Sequence, residues 1–317
     1  MRINIVDKTF AHDIGTCAFR TSYPFSWNRS INDCHNVIFT DDYIGLSQYS
    51  PSPRKALMII ESRGIQPSLY DLAKQYEPYV DVIFTHDSEL LSLYPKKARF
   101  KPGNGAAFIG DVFSDNDKAF SPPHKSRLCS FLLSDKQFCP MHSERIKYAL
   151  EISKSFNKKI DIFMNKKKSF KALIKNKIKQ YASWEIKPET YSHIPSIYED
   201  FSYKDALESY MFTISIENYI DKSFFTEKLL SPFAMNCIPI YQGALEASKY
   251  FDERGFFQFS TVEELGGIIA TLSPSLYENM LPYAIRNHHL VKDYMSIEHY
   301  IYSNYESELS IFAQVVD

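Results

Sequence analysis

The sequence predicts an α/β protein of two halves with a cleft between them, and three observations carry that prediction. Short apolar runs alternate with helix-periodic segments along most of the chain, the pattern of an open, largely parallel sheet flanked by helices. The stretch Arg99–Pro123 interrupts the alternation: it holds Pro102, Gly103, Gly105, Gly110, Pro122 and Pro123 and little periodicity, as a linker does. At 317 residues the chain also exceeds the roughly 100–200 residues of one ordinary domain. The expected division is 1–120, 121–290 and a C-terminal helical segment, 291–317, that returns to the first half. Ligands of such folds sit outside the carboxyl ends of the strands, often at a domain interface.

The elements follow in order. In the first half, strands are expected at Arg2–Val6, Val37–Thr40, Ala56–Glu61 and Val80–Thr85, with a helix over Asp71–Tyr76 between the last two. After the linker come a strand at Leu128–Leu133, a helix at Ser143–Lys154 and a strand at Ile160–Met164. Phe170, Ile174, Ile178 and Tyr181 then form an apolar stripe at helical spacing. Strands at Met211–Ile216 and Ile238–Tyr241 bracket a helix near Glu227–Met235, and helices at Glu263–Leu272 and Ile297–Phe312 complete the chain.

Composition excludes several classes. A hydrophobic share of 44% with 23% charged residues argues against disorder. A net charge of −2 supplies no basic field for nucleic acid. The five cysteines, Cys17, Cys34, Cys129, Cys139 and Cys237, are scattered with no CxxC pair, so neither a zinc site nor a disulfide framework is expected. That fits a reducing cytoplasm. Met1–Asp7 is too short and polar for a signal-peptide core. The apolar run Ala56–Ile60 is far below the ~18 residues of a membrane span. The expectation is a soluble cytoplasmic protein with, at most, peripheral contact at the inner face of a membrane. Glycine is scarce, ten in all, and residues 111–242 hold none. That excludes a glycine-rich phosphate loop there, so a nucleotide bound in the second half must be gripped otherwise.

The segment Phe212–Gly243, FTISIENYIDKSFFTEKLLSPFAMNCIPIYQG, shows how. The strand ends in Glu217 and Asn218. Thr226 stands where an N-cap should be, its hydroxyl placed to accept from an orphan N–H of the next helix. Glu227 suits the first turn, but Lys228 opposes the helix dipole at a cost of roughly 0.3–1 kcal/mol. An anion bound at that helix end reverses the sign, because open N–H groups, dipole and ammonium then converge on one diphosphate. The plain alternative is a lysine that turns out to solvent.

This segment resembles the signature of family 10 glycosyltransferases, the α-1,3/1,4-fucosyltransferases, through Ile216-Glu217-Asn218, Phe225-Thr226-Glu227-Lys228, Ile238-Pro239-Ile240-Tyr241-x-Gly243 and Ala247-x-Lys249-x-Phe251. The resemblance implies a GT-B fold of two Rossmann-like domains, with the acceptor in the N-terminal domain and a GDP-sugar in the C-terminal one. It implies a single inverting displacement that moves L-fucose from GDP-fucose to a hydroxyl of a glycan or lipopolysaccharide acceptor, with no metal or other cofactor. Asn218, Glu227 and Lys228 are implied to contact the nucleotide, Lys228 on phosphate and Glu227 near the ribose. Glu217 is implied to lie near the sugar or to order the loop. Two positions depart from the family: Phe224 stands for a tyrosine, and Met164 for a glycine after Ile160–Phe163, with a lysine-rich insert following. These departures motivate an alternative with the same fold and another GDP-sugar, such as GDP-heptose. A non-catalytic glycan- or nucleotide-binding protein is the alternative of another class.

By the same resemblance, Glu61 in Ile60-Glu61-Ser62-Arg63-Gly64 is the general base, since an inverting transfer needs a base on the acceptor hydroxyl. From the residues alone it reads as a salt-bridged surface carboxylate, with Glu77, Asp87 and Glu89 as rivals. Arg145, after Ser134-Asp135, suits bidentate phosphate contact, against the reading of an ordinary surface arginine; Lys147 is a weaker candidate. The run Lys166–Lys179 reads as a basic amphipathic helix, a solvated face being favoured over a membrane-contacting one. Asp115-Asn116-Asp117 lacks the strand context of a metal-binding Asp-x-Asp motif. Gly103-x-Gly105 lacks the strand and third glycine of a dinucleotide site. His288-His289 reads as surface. Acceptor choice is expected in loops such as Gly15–Asn36.

Overall fold

The computed structural model describes residues 3–7, 25–26, 31, 36–103, 123–156, 159–165, 196–198 and 201–311. The Lys166–Lys179 run with its whole apolar stripe, Asp115–Asp117, Gly105 and most of the Gly15–Asn36 loop lie outside these residues.

The first half is built on β1 (Ile3–Val6), β2 (Phe25–Ser26), β3 (Asn36–Thr40), β4 (Lys55–Met58), β5 (Val82–Thr85) and β6 (Ala98–Phe100), in the order β2-β1-β3-β4-β5-β6. Every pairing is parallel. β1, β3 and β5 are buried along their whole length, as strands covered on both faces must be. One face packs Ile5, Ile38, Met58 and Phe84 against Ile297 and Ile301 of the C-terminal helix α7 (Ile297–Ile311). The other packs Val37, Phe39 and Leu57 against Leu69, Tyr70 and Ala73 of α1 (Ser68–Tyr76). A short helix, α2 (Ser88–Leu93), follows β5.

The second sheet contains β7 (Arg127–Ser134), β8 (Ile160–Asn165), β9 (Ser196–Tyr198), β10 (Tyr210–Ile216), β11 (Ile238–Gln242) and β12 (Phe257–Gln258), ordered β12-β11-β10-β7-β8-β9 and again all parallel. The chain winds outward from β7 in one direction and from β10 in the other. The crevice between these two strands is therefore the topological switch point, where such sheets bind ligands. Helix α3 (Pro140–Phe156) leaves β7, and helix α4 (Glu227–Ala234) follows β10 across a loop. Helices α5 (Val262–Thr271) and α6 (Pro274–Leu290) complete this half. Among the described residues, no helix is long and apolar enough to cross a membrane.

Three departures from expectation have local causes. The strand expected through Glu61 stops at Met58, because the N–H groups of Ile60 and Glu61 turn to the Asp41 carboxylate rather than to a strand. Helix α3 starts at Pro140, three residues early; proline at the first position gives up an N–H that has no helical partner there. Pro274–Leu290 is a helix that the periodicity leaves out, although it carries a local start signal: Ser273 caps it by accepting from Leu276 N–H, with Pro274 next. His288 lies in it and is buried, its ring 2.9 Å from the Ala234 carbonyl, so the surface reading holds only for His289.

Candidate active site

The loop from Glu217 to Thr226 is tied at both ends by one buried carboxylate. Glu217 N–H donates to Gln242 O at 2.8 Å, and its side chain is 0% exposed. Glu217 Oε1 accepts from Thr226 N–H at 2.8 Å, and the Thr226 hydroxyl lies 2.8 Å from Oε2. Burial pushes the Glu217 carboxyl up, with the Lys228 charge opposing. Gly243, which ends the signature, leaves room for it: a Cβ there would meet Glu217 Cγ at 2.5 Å.

Thr226 is extended (φ −133°, ψ −166°) and caps α4, its Oγ1 accepting from Lys228 N–H at 3.3 Å. Lys228 does not turn out to solvent. Its Nζ folds back to Glu227 Oε1 at 2.7 Å and stands 3.7 Å from Glu217 Oε2. Burial pulls this ammonium down, but the two carboxylates outweigh it and hold it above its usual value.

Arg145, in the second turn of α3, is the unbalanced group. It is 6% exposed, and among the described residues its buried Nε has no hydrogen-bond partner. Burial lowers its pKa, with Cys139 and Glu217 pulling the other way. One turn earlier His142 accepts from Phe138 N–H on Nδ1 at 3.1 Å. Burial, then Arg145 and Lys228, push its pKa down to about 3. The ring is therefore neutral, with its proton on Nε2. Phe138 beside it is 56% exposed. Neither residue was legible as a site: no motif marks them, and only the fold brings this loop beside α4.

Glu61 forms the opposite wall. Its carboxyl is raised by burial, against the pull of Lys228, and among the described residues it is in no ion pair. Its rivals are neutralised. Glu77 pairs with Lys97, Glu89 with Arg63 and Lys74, and Asp87 caps α2 while holding Arg63 at 2.6 Å. Lys147 is paired to Glu144 on the surface.

The two halves meet along the Glu217–Thr226 loop. Ser62 Oγ lies 3.1 Å from Asn218 Oδ1, Ser88 N–H and Oγ donate to the Asp221 carboxylate, and Gly103 N–H donates to Phe225 O at 2.9 Å. Phe224 packs against His86 with ring centroids 4.6 Å apart and the planes tilted by 49°. Between the halves lies a cleft of about 800 Å³. Glu61, Arg145, Asn218, Thr226, Glu227 and Lys228 all line it, together with Lys136 and His142; Glu217 does not, standing behind the loop. No group of three or more His, Cys, Asp or Glu able to hold a metal occurs among the described residues.

No family model and no curated protein sequence matches the chain. Solved structures do. An α1,3-fucosyltransferase is 14% identical at a TM-score of 0.51, over 94% of this chain and 91% of that one. The pneumococcal O-GlcNAc transferase GtfA, in complex with UDP and GlcNAc, is 12% identical at 0.54, over 89% of this chain and 58% of its own. The UDP-forming α,α-trehalose-phosphate synthase of Burkholderia vietnamiensis is 8% identical at 0.55, over 91% and 75%. These likenesses, with two parallel α/β sheets facing one cleft, show the GT-B fold.

Proposed function

We propose that this protein is an inverting glycosyltransferase that moves L-fucose from GDP-fucose to a hydroxyl of a glycan or glycolipid acceptor. One observation carries the nucleotide-sugar half of the reading: Arg145, buried and in no ion pair among the described residues, and Lys228 at the N-terminus of α4 converge on the cleft at the switch point of the second sheet. Burying a cation without a partner costs several kcal/mol, and a diphosphate supplies the missing charge. Arg145, Lys228 and the N-terminal dipole of α4 stabilise the charge that develops on departing GDP. Those cations do what a divalent ion does elsewhere, so a chelator should leave turnover unchanged. Glu61, across the cleft and raised by burial, takes the proton of the attacking hydroxyl. The fucose and GDP assignments rest on the signature from Ile216 to Gly243.

A second reading has a specific support. Two of the structural likenesses are described with UDP, and the fold does not choose between bases. Thermal shifts with GDP, UDP and CMP separate the readings. At 100 times its dissociation constant the true nucleotide stabilises by ~2.7 kcal/mol. A shift with UDP and none with GDP overturns the donor assignment. A panel of GDP-sugars, scored for release of GDP, then tests fucose against other sugars. If no sugar is turned over while GDP binds, the protein is a binding module.

A further inference from the structure

The backbone that carries Glu61 is held at both of its polar atoms. β4 ends at Met58 and Ile59 N–H still reaches Phe84 O, so the next two N–H groups have no strand to pair with. Asp41, just past the end of neighbouring β3, takes both. Its Oδ1 accepts from Ile60 N–H at 2.8 Å and its Oδ2 from Glu61 N–H at 3.3 Å. Asp41 is 2% exposed and has a φ of 38°, a left-handed conformation that few non-glycine residues adopt. On the other side the Tyr70 hydroxyl donates to the Glu61 carbonyl at 2.7 Å, which leaves His86 Nε2, 3.0 Å away, to donate to that hydroxyl. Only the side-chain torsions of Glu61 remain free to aim it into the cleft.

A buried counter-charge stands behind the clamp. Lys101 is 0% exposed and donates to Pro102 O at 2.8 Å and Gly103 O at 3.0 Å. Burial pushes the Asp41 carboxyl up and the Lys101 ammonium down, both to about 7, and each charge favours the other. Gly103, whose carbonyl Lys101 holds, is the residue whose N–H reaches Phe225 O beside the α4 cap. Lys101 thus acts on the Asp41 clamp through space while its hydrogen bonds hold the Gly103 backbone beside the α4 cap.

We propose that Asp41, backed by Lys101, is a positioning residue: its carboxylate fixes the backbone from which Glu61 reaches the acceptor hydroxyl, and so sets the geometry of proton removal. This rests on the reading of Glu61 as the base. The test compares Asp41→Gly and Asp41→Asn, each made in the wild-type and the Glu61→Gln backgrounds. Turnover is read as GDP release from GDP-fucose with water as acceptor, and donor binding as the dissociation constant of GDP. Glycine adopts a left-handed φ freely and loses both acceptors; asparagine tolerates it and keeps one. Since a misplacement near 1 Å costs on the order of 100-fold, Asp41→Gly should lower kcat by roughly 10–100-fold, and Asp41→Asn by less. GDP affinity should stay within about twofold of wild type, a margin worth well under one decade of binding. In the Glu61→Gln background the same substitutions should cause no further loss. An unchanged kcat in Asp41→Gly, or the same fractional loss in both backgrounds, overturns the proposal while leaving Glu61 in place. Wild-type turnover in Glu61→Gln overturns the base reading and the proposal with it. Should Asp41→Gly fail to fold, Asp41→Asn carries the same comparison: a loss that vanishes in Glu61→Gln supports positioning, and a loss that persists there overturns it.

Discussion

A guanidinium buried with an unsatisfied Nε and in no ion pair among the described residues costs the folded protein up to several kcal/mol, so Arg145 generates two predictions of opposite sign. Arg145→Met keeps much of the volume and removes the charge. The ligand-free protein should therefore melt at the same or a higher temperature. GDP should bind more weakly, by about 10–100-fold, the worth of charge-assisted hydrogen bonds of about 1.5–3 kcal/mol. Calorimetry on the apo and GDP-bound forms checks both; an apo protein that melts much lower means that Arg145 is structural. Glu61 gives a pH prediction. Its carboxyl is raised above the ordinary 4.5 by burial, and only the ionised form accepts a proton. The acid limb of kcat/KM should lie above pH 4.5 and disappear with the residual activity of Glu61→Gln. For stability the same shift runs the other way. A raised carboxyl pKa favours the protonated folded form, so that contribution is present at low pH and lost as pH rises through the folded value.

At the scale of elements, what the sequence discloses is what neighbours in sequence determine. Thr226 as a cap, Lys228 in the first turn and the β10–α4–β11 succession are all written within one window of about thirty residues, and each could be read from spacing and dipole. Asp41 could not. Its partners Ile60 and Glu61 are 19 and 20 residues on, and they meet it only because β3 and β4 are parallel neighbours that end together. His142 and Arg145 face Lys228 only because β7 and β10 adjoin, although strands β8 and β9 intervene in the chain. Close approaches of backbone to backbone are hidden in the same way. A Cβ on Gly103 would meet Phe225 O at 2.7 Å and the Phe224 ring at 2.8 Å; one on Gly64 would meet Asn218 O at 2.7 Å. Neither site has a flexible side-chain tip alone to push aside. Gly103→Ala should cost about 1–3 kcal/mol, as overpacking does, and weaken GDP binding by moving the α4 cap. Gly267, in the middle of α5, is the control: nothing lies within 4 Å of its would-be Cβ. Gly267→Ala should stabilise by roughly 0.5–1 kcal/mol through helix propensity alone. Urea midpoints of the two variants measure both, and equal shifts of one sign contradict the account.

For the molecule as a whole, the described residues place two crossings of the chain between the halves. It leaves the first sheet after β6, builds the second sheet, and returns so that α7 covers one face of the first sheet. Ile301 is 1% exposed there, in one cluster with Ile5, Ile38 and Phe84, and Arg99 pairs with Glu308 of the same helix at 2.9 Å. The N-terminal core is therefore incomplete until α7 has been made, and it depends on residues nearly three hundred positions from β1. Deleting buried methylenes at such a site costs about 2–5 kcal/mol, of which part is the cavity left behind. The switch-point crevice and the buried Arg145 belong to the other core, built around Phe131, Ile146, Ile214 and Ile240. Ile301→Ala should thus separate two properties that a single folding unit would lose together. Amide exchange should quicken first in β1, β3, β4 and β5, while β7 and β10 stay protected and GDP still raises the melting temperature of the second half. Turnover should fall further than GDP affinity, because Glu61 rides on the weakened sheet while Arg145 and Lys228 do not. Uniform loss of protection across both sheets, with GDP binding lost in step, would instead mean that the Glu217–Thr226 loop, which touches Ser62, Ser88 and Gly103, locks the halves into one cooperative unit.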